Sequence, residues 1–216
     1  MFRPIRVARI LAFLVLSSAI CYATAIVSTT GSFTADDDQV FFNFSLLAPT
    51  TVTMQTWSFA GGTNATGQVI APGGFFPVLS LFDATGSQPL LASDTGGTAP
   101  SNCGVRNIDP VTGFCLDSYL SLSLAAGSYS LYLTQFDNLP IGPDLSNGFL
   151  QQGNGNFTGG PFFLNAGTGF QRTGNWAVDI TTAAAPPTVP EPSTAAVTIF
   201  GLSIFTLIFA LRRRRV

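Results

Sequence analysis

Eleven acidic side chains and no histidine set the chemistry open to this chain of 216 residues. Without histidine, the usual Ser-His and Cys-His nucleophile pairs and the histidine-based zinc sites are excluded. Carboxylates remain. Asp36-Asp37-Asp38 stand together ahead of an apolar run, and Asp83, Asp94 and Asp117 follow at intervals. A calcium ion wants about six to eight oxygens, several of them from carboxylates. Asp36, Asp38, Asp83, Asp94 and Asp117 are therefore the candidate donors, and calcium is the one cofactor suggested. Against this, adjacent aspartates point in alternating directions along an extended chain, and no Asp-x-Asp-x-Asp-Gly loop is present. Solvated turn residues are the alternative reading of the same acids. Asp117, Asp137, Asp144 and Asp179 could supply the carboxylate pair of a glycoside hydrolase. Aspartates also sit in turns for local backbone bonding, and a non-enzymatic chain is the expectation. Trp57, Phe75, Phe76, Phe162, Phe163 and Phe170 could stack on sugar rings of an exopolysaccharide, or pack as ordinary hydrophobes.

Cys103 and Cys115 form the second constellation. Two thiols alone make a poor metal site. In an oxidising compartment they are expected to form a disulfide, with free or intermolecular thiols as the alternative. Closing a loop of this length stabilises by roughly 2–3 kcal/mol in the chain-entropy model.

The two ends of the sequence supply that compartment. Arg3, Arg6 and Arg9 precede an apolar core from Ile10 to Ile20, and Ala23-Thr24-Ala25 places small residues at the spacing signal peptidase accepts. This pattern predicts a secretory signal peptide over residues 1–25, cut after Ala25, with the Sec machinery and signal peptidase as partners. Cys21 follows Ile20, a bulky residue that lipoprotein processing disfavours. At the other end, Ala195 to Leu211 is uncharged and reaches the short limit for a membrane-spanning helix. Arg212, Arg213, Arg214 and Arg215 after it are expected to stay in the cytoplasm as a stop signal. Val189-Pro190-Glu191-Pro192-Ser193 stands just before the helix. Motif, helix and arginine cluster together resemble the PEP-CTERM sorting signal of Gram-negative bacteria. The resemblance implies that an exosortase-type membrane protease cuts near the motif, so that an inner-membrane intermediate passes to the cell surface or extracellular matrix. A plain C-terminal anchor is the other reading of the same layout.

Between these ends only Arg106 and Arg172 oppose all eleven acids, so the exported part carries a formal charge of −9. Such a body repels nucleic acid and anionic lipid. Residues 26–182 suffice for one domain with a core, and 183–192 form a Pro/Ala-rich spacer carrying the sorting motif. Residues 193–216 hold the helix and basic tail.

The apolar spacing of the body is that of strands. Val40, Phe42, Phe44 and Leu46 share a face, as do Val52, Met54 and Thr56, and Leu79 with Leu81. The same holds for Leu120, Leu122 and Leu124, for Leu131 with Leu133, and for Trp176, Val178 and Ile180. Asp83-Ala84-Thr85-Gly86 predicts a tight turn, and Ala125-Ala126-Gly127 a short hairpin. Residues 61–76 and 138–175 read as long loops. Short strands at this spacing predict an all-β, antiparallel, jelly-roll-like sandwich.

Several stretches carry a second resemblance: Val40 to Leu46, Pro77 to Asp83, Leu90 to Asp94 and Leu124-Ala125-Ala126-Gly127-Ser128-Tyr129. They are similar to bacterial pre-peptidase C-terminal domains, extracellular β-sandwiches of which some bind calcium or matrix polymers. Gln55 to Asn64, Thr134 to Asn138 and Gln171 to Trp176 look like a PEP-CTERM-bearing subfamily of that type. It implies a fold rather than an activity.

Overall fold

A computed structural model describes residues 24–97, 102–164 and 169–183, all within one compact unit, Tyr22–Ala184. The signal segment to Ala23, the sorting motif, the apolar run and the arginine cluster lie outside the described residues.

Twelve strands follow one another: β1 (Thr24–Ser32), β2 (Val40–Leu46), β3 (Thr50–Thr56), β4 (Gly62–Thr63), β5 (Val69–Ile70), β6 (Pro77–Asp83), β7 (Leu90–Asp94), β8 (Tyr119–Leu124), β9 (Gly127–Gln135), β10 (Phe163–Leu164), β11 (Phe170–Gln171) and β12 (Asn175–Thr182). Eight of them make two four-stranded antiparallel sheets, ordered β1-β12-β3-β8 and β2-β9-β6-β7. The pairs β4-β5 and β10-β11 are small ribbons within the long connections.

The alternation seen in sequence is the reason the sheets face each other. Val52 and Met54 of β3, Leu120 and Leu124 of β8, and Val178 and Ile180 of β12 point into the core from one sheet. Phe44 and Leu46 of β2, Leu79 and Leu81 of β6, and Leu131 and Leu133 of β9 meet them from the other. Burying each such side chain contributes about 1.5–3 kcal/mol. The opposite face of the first sheet is hydroxylic, with Thr51 beside Ser123 at 3.3 Å and Thr53 beside Ser121 at 3.4 Å.

Three expectations change. The hairpin at Ala125-Ala126-Gly127 is an arch: β8 pairs with β3, while β9 pairs with β2 and β6. A short small-residue link serves either geometry, and the non-local ladders decide. β6 is buried on both faces, because Val78, Ser80 and Phe82 are covered as well as Leu79 and Leu81. Their cover is a strap formed by residues 138–150, which bonds to the sheet edge through Leu90 N to Pro143 O and Leu145 N to Gln88 O. Phe149 seats it on Phe82 and Tyr132, ring centroids 6.3 and 5.5 Å away. Finally, β1 is a strand that alternation did not show. It runs along β12, and Gly31 lies against the Trp176 ring, where a Cβ would stand 2.2 Å from the indole. Ala25 pairs with Thr181, and the register shifts between Ala25 and Val27. A cut after Ala25 would leave the ladder from Val27 to Ser32 whole.

The ladders fix which ends lie together. Ser32 pairs with Asn175, Gln55 with Tyr119, Val40 with Leu133, Pro77 with Gln135 and Leu79 with Asp94. The connections after Ser32, Thr56, Asp94 and Gln135 therefore leave from one end, the crown. The short turns after Leu46, Asp83 and Leu124 lie at the other end, the base, where β12 also finishes at Thr182.

Candidate functional site

The polar chemistry of the body is concentrated at the crown. Asp117 precedes β8 and is buried beneath the chain leaving β3. Its carboxylate accepts from Thr56 Oγ1 at 2.8 Å and from the amides of Ser58, Phe59 and Ala60 at 2.7, 3.1 and 2.8 Å. These bonds turn the chain so that Phe59 and Ala60 enter a second small core with Phe76 and Leu116. Burial pushes the Asp117 carboxyl up to about 6, against the pull of those four donors.

The disulfide Cys103–Cys115, Cα atoms 5.5 Å apart, closes the loop that ties this end together. From within it, Arg106 bonds both oxygens of Asp94 at 2.9 Å. Asn107 Nδ2 donates to Gly61 O at 2.8 Å. Asp109 accepts from Arg172 Nη2 at 2.8 Å, and both side chains are almost fully buried. The Arg172 guanidinium also lies 4.0 Å above the Phe59 ring. Burial acts to raise the Asp109 carboxyl, but Arg172 and Thr112 outweigh it and hold it below the ordinary value. Asp36 accepts from Thr158 N and Oγ1 at 2.9 and 2.6 Å and from Phe162 N at 2.5 Å. Asp179 holds Ser28 Oγ at 2.6 Å, Trp57 Nε1 at 2.7 Å and Ala65 N at 2.8 Å.

The five proposed calcium donors are not brought together. Asp36 and Asp117 are buried under separate loops. Asp38 caps Thr34 and Ala35. Asp94 is paired with Arg106 and accepts from Tyr119 N at 2.8 Å. Asp83 bonds Thr85 at the base, a strand's length from the rest. Among the described residues no three acids or cysteines gather as a metal-binding group. The physical reason is local: each of these carboxylates already serves protein donors. The aromatic platform is also dispersed, since Phe75, Phe76 and Phe162 are core residues and Trp57 is tied to Asp179. Sequence reading missed the pairing of Asp109 with Arg172, 63 residues apart, and the strap, which bonds back to Gln88 and Leu90.

The crown is thus a hydrogen-bond network that holds loops in place. For the rest of the chain, comparison decides. Residues 188–215 match the PEP-CTERM protein-sorting motif. The PEP-CTERM match spans Val189 to Ser193 and Arg212 to Arg215. It implies a membrane-anchored, exported protein, processed by exosortase, a membrane protease, and sorted to the cell surface. No curated protein matches the chain.

Proposed function

We propose that this chain is a non-enzymatic protein of the envelope or biofilm matrix, whose sandwich body exosortase releases by cutting near Pro190 to Ser193. The PEP-CTERM match is the observation that carries the reading. The two prolines of the motif carry no backbone N–H and are disfavoured inside a helix, which suits a sequence offered to a membrane protease. The strand order β1-β12-β3-β8 against β2-β9-β6-β7 supports a jelly roll of the pre-peptidase C-terminal type. The crown acids, occupied by protein donors, suit a scaffold better than a catalyst.

The test is genetic. In a host without exosortase the protein should remain in the inner membrane with its tail, and a Pro190→Ala, Pro192→Ala double variant should be retained likewise in the native host. Surface delivery undiminished in both strains would contradict the reading.

A further inference from the structure

The two four-stranded sheets end in the edge strands β1, β8, β2 and β7, and three of these edges are blunted. The ladder of β7 with β6 shifts register, and the strap takes main-chain bonds beside it, Leu90 N to Pro143 O and Leu145 N to Gln88 O. On β8, Tyr119 gives its N–H to Asp94 at 2.8 Å, and its carbonyl accepts from Arg106 Nη2 at 3.4 Å. β1 carries the register shift between Ala25 and Val27. β2 has none of these devices. It pairs with β9 without a shift over all seven residues, Val40 to Leu46, and holds no charge and no proline. Among the described residues, no main-chain group of β2 bonds outside that ladder. The amides and carbonyls that point away from β9 therefore stay unpaired, and Phe41 beside them is 55 % exposed. Such an edge is a template for another strand.

The strand that fits it is β2 of a second copy, and charge decides how that copy lies. The chain enters β2 from Asp36-Asp37-Asp38 at the crown and leaves it through Leu47-Ala48-Pro49 at the base. A copy laid parallel would set three aspartates beside three. Laid antiparallel, each acidic end meets an uncharged one. Seven residues of strand then keep the two acidic ends at least roughly 23 Å apart, more than twice the Debye length of about 8 Å at physiological ionic strength. The sequence also matches itself in this direction. About a two-fold axis at Asn43, Val40 meets Leu46, Phe41 meets Ser45 and Phe42 meets Phe44, so the whole strand overlaps and its core-facing positions stay on one face. Across the core β3 faces β6 and β7 meets β8, so β1 lies above β2. The same axis brings the uncharged β1 edges of the two copies toward each other.

We propose that β2 pairs antiparallel with β2 of a second copy about an axis at Asn43, so that the second sheets of two bodies run on as one. The contact is isologous and closes at a dimer. It does not rest on tail cleavage, because the uncut chain carries the same edge.

The experiment is mild oxidation of cysteine variants of the full chain in detergent, with sedimentation velocity alongside and the wild type as baseline. Residues facing each other across an antiparallel pair lie about 4.5–5.5 Å apart, within the span of a disulfide. Asn43→Cys should therefore give a covalent dimer on its own. Phe41→Cys alone should not, but should do so when mixed with Ser45→Cys. Asn43→Lys sets two ammonium groups opposite each other at the axis and should weaken the dimer about tenfold or more. Ser121→Lys, on the β8 edge, should leave it unchanged. A monomeric wild type, Phe41→Cys linking to itself as readily as Asn43→Cys, or a dimer untouched by Asn43→Lys would overturn the proposal. The cysteine pattern stands as a test even if the lysine variant folds poorly.

Discussion

Crown and base are built from different forces. The base turns are short, and its strand ends close on apolar residues such as Leu46 and Leu124. The crown connections are long, and residues far apart in sequence are joined there by a disulfide, two ion pairs and buried carboxylates. A long loop loses more conformational entropy on ordering than a tight turn, so the crown needs directional bonds to hold one conformation. The difference teaches where substitutions should hurt, and four outcomes test it.

The largest effect is expected at Arg172. Replacing it with alanine leaves Asp109 buried without its cation and removes the contact over Phe59, so urea denaturation should show a loss of about 3–5 kcal/mol. A loss under 1 kcal/mol would mean that the crown does not depend on this pair. Next is the disulfide. A Cys103→Ser, Cys115→Ser double variant should lose about 3 kcal/mol, and a far smaller loss would show that the network holds the loop unaided.

The two buried aspartates sharpen the comparison within the crown itself. Asp109, lowered, contributes stability above its unfolded value and loses it as pH falls through its folded one. Asp117, raised from 3.8 to about 6, does the reverse. Its contribution is complete below 3.8 and fades as pH rises through about 6. Between those limits it accounts for at most about 3 kcal/mol. The Asp117→Asn variant should lack that fade, so its stability between pH 4 and 6 should run flatter than that of the wild type. Parallel profiles would refute the assignment. At the base, Leu47 is wholly exposed, and Leu47→Ala should shift stability by less than about 0.5 kcal/mol. A cost of several kcal/mol there would erase the contrast between the ends.

The same contrast explains what could be read in the sequence. Strands β2, β3, β6, β8, β9 and β12 were legible because a period of two follows from one buried face. The turn after Asp83 was legible because Asp83 and Thr85 bond locally. β1 was not, since Thr24 to Ser32 carries no alternation and lies at a sheet edge. The arch between β8 and β9 was not, because Ala125-Ala126-Gly127 fits either connection. At the crown the disulfide partners were legible by elimination, but the roles of the acids were not. Asp36 meets Thr158 across 122 residues and Asp117 meets Ser58 across 59. No local pattern encodes such pairings.

The fate of the tail bears most directly on what the protein does. The base is where β12 ends at Thr182, and the Ala-Pro spacer leads from there to the matched motif. Intact-mass analysis of the form recovered from the native cell surface is the decisive measurement. The account predicts a chain ending between Pro190 and Ser193, without Ala195 to Val216. A surface form that still contains Ala195 to Val216 would show a permanent anchor and contradict release by exosortase.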